Sequence, residues 1–228
     1  MNNTTQVMPF SFKDCALSAI ATGRRAQTLR ELRDHIQQVQ PDSIYYHFWG
    51  GRLQPQFDEP EYNNDFAGWV RHALRDHSTA EQLAVIDPTE FESLEDLRAE
   101  IIEVIEARLY EQEMVPWSKP DEKFSFIRSQ IVVFDRHHSL EDPARLGDEI
   151  PHTTTSSIFY HFIDARRRSP KGRDDFSNWL EGFGDRYVGL IERLADVDPY
   201  FSTLSELRNQ LTDVIEHYFH ETESKGGM

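Results

Sequence analysis

Ser43-Ile44-Tyr45-Tyr46-His47-Phe48 and Ser157-Ile158-Phe159-Tyr160-His161-Phe162 are one phrase written twice, at an offset of 114. Phe10-Ser11-Phe12 recurs as Phe124-Ser125-Phe126 at the same offset. Two matches at one spacing mark an internal duplication. After a loop four residues shorter in the second copy the offset becomes 110. Asp65-Phe66 with Trp69 then answers Asp175-Phe176 with Trp179, and Leu94, Leu97-Arg98 and Val104-Ile105-Glu106 answer Leu204, Leu207-Arg208 and Val214-Ile215-Glu216.

The repeat sets the expected layout. Unit one covers residues 9–112 and unit two 123–221, joined by a proline-stiffened linker over 113–122. Residues 1–8 and 222–228 are expected to be disordered. Within each unit, caps and periodicity predict helices. Thr28-Leu-Arg-Glu31 is a capping box. Ser43 and Ser157 stand as N-caps before their aromatic runs, and Asn64 and Asp174 before Phe66-Trp69-Val70 and Phe176-Trp179-Leu180. Ser93 and Thr203 open the longest apolar stripes, Leu94–Ile105 and Leu204–Ile215. Phe124–Phe134 is β-rich, whereas Asp14–Ala21 reads as helix. If both opening segments extend, they can pair with each other. The expected fold is mainly α, two tandem homologous helical units of about 100 residues, with a short strand allowed at the start of each.

Composition bounds the partners. The 228 residues carry 40 acidic against 24 basic side chains, a formal charge of -16. Most of the surface therefore repels nucleic-acid phosphates and anionic lipid, so neither nucleic acid nor membrane is an expected partner. Cys15 is the single cysteine, which rules out an intramolecular disulfide or a thiolate zinc cluster and fits a reducing compartment. No leader pattern or apolar spanning run is present, and a cytoplasmic location is expected.

The repeated aromatic-His phrase, the Asn64-Asp65-Phe66 and Trp69 pattern, Asp87-Pro88 and the Leu94-Glu-Asp-Leu-Arg98 helix together resemble bacterial proteins grouped as domain of unknown function 5752. The resemblance spans about residues 9–220. It implies a bacterial cytoplasmic protein with this duplicated layout and a link to carbohydrate metabolism through neighbouring glycosyltransferases. It brings no activity and no catalytic residue.

Four groups of residues are candidates for chemistry. His47 with Asp65, and His161 with Asp175, have the makings of an acid/base pair or half a metal site. The competing reading is a buried hydrogen bond locking two helices, favoured because both copies keep it. Arg166, Arg167, Arg168, Lys171 and Arg173 crowd one loop of copy two, either an anion or partner site or a solvated loop paired with carboxylates. Trp49, Phe57 and Tyr62 flank the corresponding loop of copy one, to stack on a ligand or to cover the core. His217 and His220 on the last helix, with Asp213, are the weakest set, a metal pair in one copy only. No glycine-rich phosphate loop, His-Glu-x-x-His or Gly-x-Ser-x-Gly occurs, and no cofactor is expected. The expected function is a non-catalytic binding or regulatory module, accessory to a carbohydrate enzyme, that takes a protein partner or a small anionic ligand. The alternative is an enzyme with a His/Asp site at a groove between the units, acting on a sugar-phosphate-like substrate. Oligomeric state stays open.

Overall fold

Phe10 and Phe12 are buried while Ser11 between them is exposed, the period-two alternation of a strand. In a computed structural model of the protein, which describes residues 7–53, 62–111 and 122–226, this alternation opens β1 (Phe10–Ala26), 17 residues long. Its counterpart β2 (Phe124–Leu140) has the same length and pairs with it in a two-stranded antiparallel sheet. Phe12 stacks on His138 at 5.3 Å and Asp14 faces Arg136 at 3.7 Å, so numbering rises along one strand as it falls along the other.

Between the strands lie α1 (Leu29–Ile36), α2 (Pro41–Trp49), α3 (Asp65–His72), α4 (His77–Ala84) and α5 (Leu94–Glu111). After β2 come α6 (Leu146–Glu149), α7 (Thr155–Ile158), a π-wound turn (Phe159–Asp164), α8 (Ala165–Arg168), α9 (Asp175–Glu181), α10 (Val188–Ala195) and α11 (Leu204–Gly226). The last helix runs through most of the stretch expected to be a disordered tail, and residues 113–121 of the expected linker lie outside the described residues. No described helix is long and apolar enough to cross a membrane.

The expectation of a mainly α chain in two tandem units is corrected on two points. The fold is mixed α/β, with long strands in place of short ones. Asp14–Ala21 looks helical by local propensity, but a ladder partner remote in sequence, with Arg136 opposite Asp14, overrides that preference. The compact units are also not the sequence copies. One unit is Leu17–Ile131, and the other joins Met1–Ala16 to Val132–Met228. Each copy's opening Phe-x-Phe is therefore built into the unit that holds the other copy's helices.

In the unit Leu17–Ile131, Phe124 stacks on Phe66 at 5.2 Å and meets His47 and Trp69, while Glu122 O accepts the Trp69 indole N–H at 3.0 Å. In the other unit Phe10 stacks on Phe176 at 5.0 Å and meets His161 and Trp179, while Met8 O accepts the Trp179 indole N–H at 2.9 Å. Every aromatic of this floor keeps its offset. So does a backbone kink: Gly23 (φ 77) and His137 (φ 53) both take the left-handed conformation. At His137, which pays a steric cost of roughly 1–2 kcal/mol there, Asp135 Oδ1 accepts the backbone N–H at 2.8 Å.

Most predicted caps hold. Thr28 accepts from Glu31 N–H and Glu31 from Gln27 N–H, and Asn64, Asp174, Ser93 and Thr203 each accept at their helix starts. Ser43 and Ser157 are not N-caps. Helix α2 starts earlier, at Pro41 after Gln40, and α7 is capped by Thr154. Ser43 is buried and donates its hydroxyl to Ile127 O at 2.7 Å, tying α2 to β2.

Candidate functional site

A histidine has two ring nitrogens, and in each unit both are occupied. Ile127 N–H donates to His47 Nε2 at 3.1 Å, and His47 Nδ1 lies 2.8 Å from Asp65 Oδ2. Lys13 N–H donates to His161 Nε2 at 2.9 Å, and His161 Nδ1 lies 2.8 Å from Asp175 Oδ2. A backbone N–H can only donate, so Nε2 accepts and the ring proton sits on Nδ1, pointing at the carboxylate. Both rings are 3% exposed, each wedged between the strand phenylalanines and α3 or α9. The predicted His–Asp pairs are therefore assembled, each within one unit. Neither ring has a lone pair left for a substrate proton or a metal.

The basic loop of copy two is ordered by a feature that copy one lacks. Across Phe159–Asp164 the helix is wound as a π turn, in which Ala165 N–H reaches back five residues to Tyr160 O. π turns recur at functional sites. The widened turn brings α8 round so that Arg167 and Arg168 both grip Asp164, which is fully buried, at 3.1 and 2.8 Å. Arg168 also donates to Tyr160 O at 2.9 Å and to Asp175 Oδ2 at 3.0 Å, with its guanidinium 4.0 Å from the centroid of the Tyr160 ring. Lys171 holds Glu181 at 2.7 and 2.8 Å, Arg173 reaches the same carboxylate at 3.5 Å, and Arg166 lies over Phe162. Of the five predicted cations, Arg168 and Lys171 are brought together with Asp175. They line a cleft of about 190 Å³ with Ser169, Pro170 and Asn178.

Sequence reasoning missed Asp164, Tyr160, Ser169 and Asn178. Only Asp164 had a signal, its spacing of three and four residues from Arg167 and Arg168. Arg98 and Arg208, which recur, turn out to tie α5 and α11 to backbone carbonyls, Arg98 to Ile36 O and Arg208 to Thr153 O.

The other candidates do not converge on this cleft. Trp49 ends α2, buried, with Arg52 5.5 Å from its ring centroid. Tyr62 donates to Glu81 at 3.1 Å, and Phe57 lies outside the described residues. His217 pairs with Glu221 at 2.7 Å, His220 is exposed, and among the described residues no three His, Cys, Asp or Glu stand together as a metal site. Cys15 donates to Ser156 O, and burial, reinforced by Asp164 and Asp14, pushes its thiol up to about 12. It is a protonated packing residue at neutral pH.

No curated protein matches the chain. Among solved structures, the one described as the structure of OrfY from Thermoproteus tenax is similar at a TM-score of 0.79 and 28% identity, over 92% of this chain and 95% of that one. The model of a family of unknown function, DUF5752, matches residues 7–216, and the chain belongs to that family.

Proposed function

We propose that the protein is a non-catalytic binding module whose His–Asp pairs serve as scaffold. The observation that carries this reading is the saturation of both imidazoles. General acid–base work needs a ring nitrogen within reach of a substrate proton, and here the one nitrogen not facing aspartate is taken by a strand N–H in each unit. Breaking that bond would leave a buried backbone donor unsatisfied, at a cost of roughly 1–3 kcal/mol. The arrangement suits a device that fastens β1 and β2 to the helices of the two units.

The test compares wild type with His47→Gln and His161→Gln. Each variant should melt several degrees lower, since about 1 kcal/mol moves the midpoint of a domain this size by a few degrees. Incubated with a deproteinised metabolite extract and followed by mass spectrometry, wild type should consume nothing. Depletion of a metabolite by wild type, lost in a His161→Gln protein shown to be folded, would sink the module reading.

A further inference from the structure

We propose that the cleft beside α8 and α9 binds a small polyhydroxylated ligand through adjacent hydroxyl groups. The inference rests on the binding-module reading and gives it a site and a ligand class.

The charge balance of the cleft argues against a simple anion site. Each cation in its wall already has a carboxylate: Arg168 has Asp164 and Asp175, and Lys171 has Glu181. An anion would have to compete with them. The groups left open are of both kinds. Among the described residues nothing bonds Arg168 Nη1 or takes the Ser169 hydroxyl proton, and Glu181 engages at most two of the three Lys171 Nζ hydrogens, so three groups have donors open. Among the same residues nothing donates to Asp175 Oδ1 or Asn178 Oδ1, so two acceptors are open. None of these groups is a buried orphan. A phosphate brings negative charge and mostly acceptor oxygens, and would meet the Asp175 carboxylate unfavourably. A hydroxyl both donates and accepts, so neighbouring hydroxyls on one ring can answer a carboxylate or amide oxygen and an arginine or serine donor together. Pro170 supplies an apolar wall for the ring's C–H groups.

The site is also pre-set, which lowers the ordering cost of binding. Asp175 is held by His161 and Arg168, and Arg168 is fixed against Tyr160 and Asp164. At about 190 Å³ the cleft falls below the ~300–1,000 Å³ of drug-sized pockets, enough for a single ring. Gly68 stands at the copy-one position of Asn178, so one site per chain is expected.

The test is a titration of the full-length protein, by ligand-observed NMR and by ¹H–¹⁵N spectra, with myo-inositol, D-glucose, D-mannose and inorganic phosphate as separate probes. At least one neutral polyol should saturate one site per chain and move the amide resonances of Ser169, Lys171 and Asn178. The double variant Ser169→Ala/Asn178→Leu should bind it about tenfold more weakly, the scale of one or two lost hydrogen bonds. The amide shifts in wild type give the answer even if that variant does not fold. Absence of saturable polyol binding, shifts confined to other residues, or saturation by phosphate alone overturns the site while leaving the non-catalytic reading in place. Conversion of a bound probe to a new species would do the reverse, removing the non-catalytic reading and keeping the site.

Discussion

At the N-cap of α3 and α9 the two copies differ by one atom type, Asn64 in one and Asp174 in the other. Asn64 accepts from Ala67 N–H at 2.9 Å and donates to Leu83 O at 2.9 Å, so the buried amide uses both its ends. Asp174, equally buried, accepts from Ser177 N–H and hydroxyl at 2.8 and 2.6 Å. Burial nevertheless raises its pKa, outweighing Ser177 and Arg166. A carboxyl raised on folding opposes folding once it is ionised. The penalty is nil below the unfolded value, near ~3.9, and grows as pH rises from there to the folded value. Asp174→Asn should therefore raise the melting temperature at pH 7, with the gain fading toward pH 3. Asp76, which caps α4, has the opposite sign. Burial raises it, but Arg108 at 2.7 Å and Thr79 prevail and leave it lowered. Its contribution is present above the unfolded value and lost as pH falls through the folded one, so Asp76→Asn should cost stability at pH 7 and little at pH 3. Thermal melts of both variants across pH check the pair. Parallel slopes would refute the assignment.

At the scale of the helix, α5 and α11 make the same fastening with one part missing. Arg98 presents the Nε edge of its guanidinium to Glu95, one turn earlier, at 2.8 and 3.2 Å, and donates from Nη1 to Ile36 O. Arg208 keeps the Nη1 bond, to Thr153 O at 3.0 Å, but Ser205 stands where Glu95 stood. Among the described residues its Nε is buried without an acceptor. The divergence of one residue accounts for the orphan. Glu95→Ser should lose, and Ser205→Glu should gain, roughly 1 kcal/mol in urea denaturation. A glutamate in the first turn also favours the helix dipole, so the gain must shrink in an Arg208→Lys background, which has no Nε. A gain undiminished there would assign the effect to the dipole.

For the whole molecule, the repeated phrases were legible from side-chain spacing, as were the long helices and their caps, because these are local patterns. The His–Asp pairs were legible as pairs. The tandem layout misled because Phe10-Ser-Phe12 and Phe124-Ser-Phe126 are alike. Sequence identity between the two cannot say whose helices each will cover, and the β partner that extends Asp14–Ala21 lies far along the chain, with Arg136 opposite Asp14. The cleft was half legible, since a run of cations announces itself while the carboxylates that neutralise it come from Asp164, Asp175 and Glu181 on separate elements. Exchange of the strands makes the sequence copy and the folding unit different objects, and fragments can tell them apart. Residues 9–112 keep α1 to α5 but lack Phe124, Phe126 and the Ile127 N–H that closes His47. Residues 17–131 keep all of them. The aromatic floor is the larger loss, since truncating one buried phenylalanine alone costs about 3–5 kcal/mol against a domain stability of ~5–15 kcal/mol. The fragment 17–131 should therefore show dispersed amide resonances and a cooperative melt, and 9–112 should show neither. A folded 9–112 with an unfolded 17–131 would restore the tandem layout and remove the role assigned here to β2.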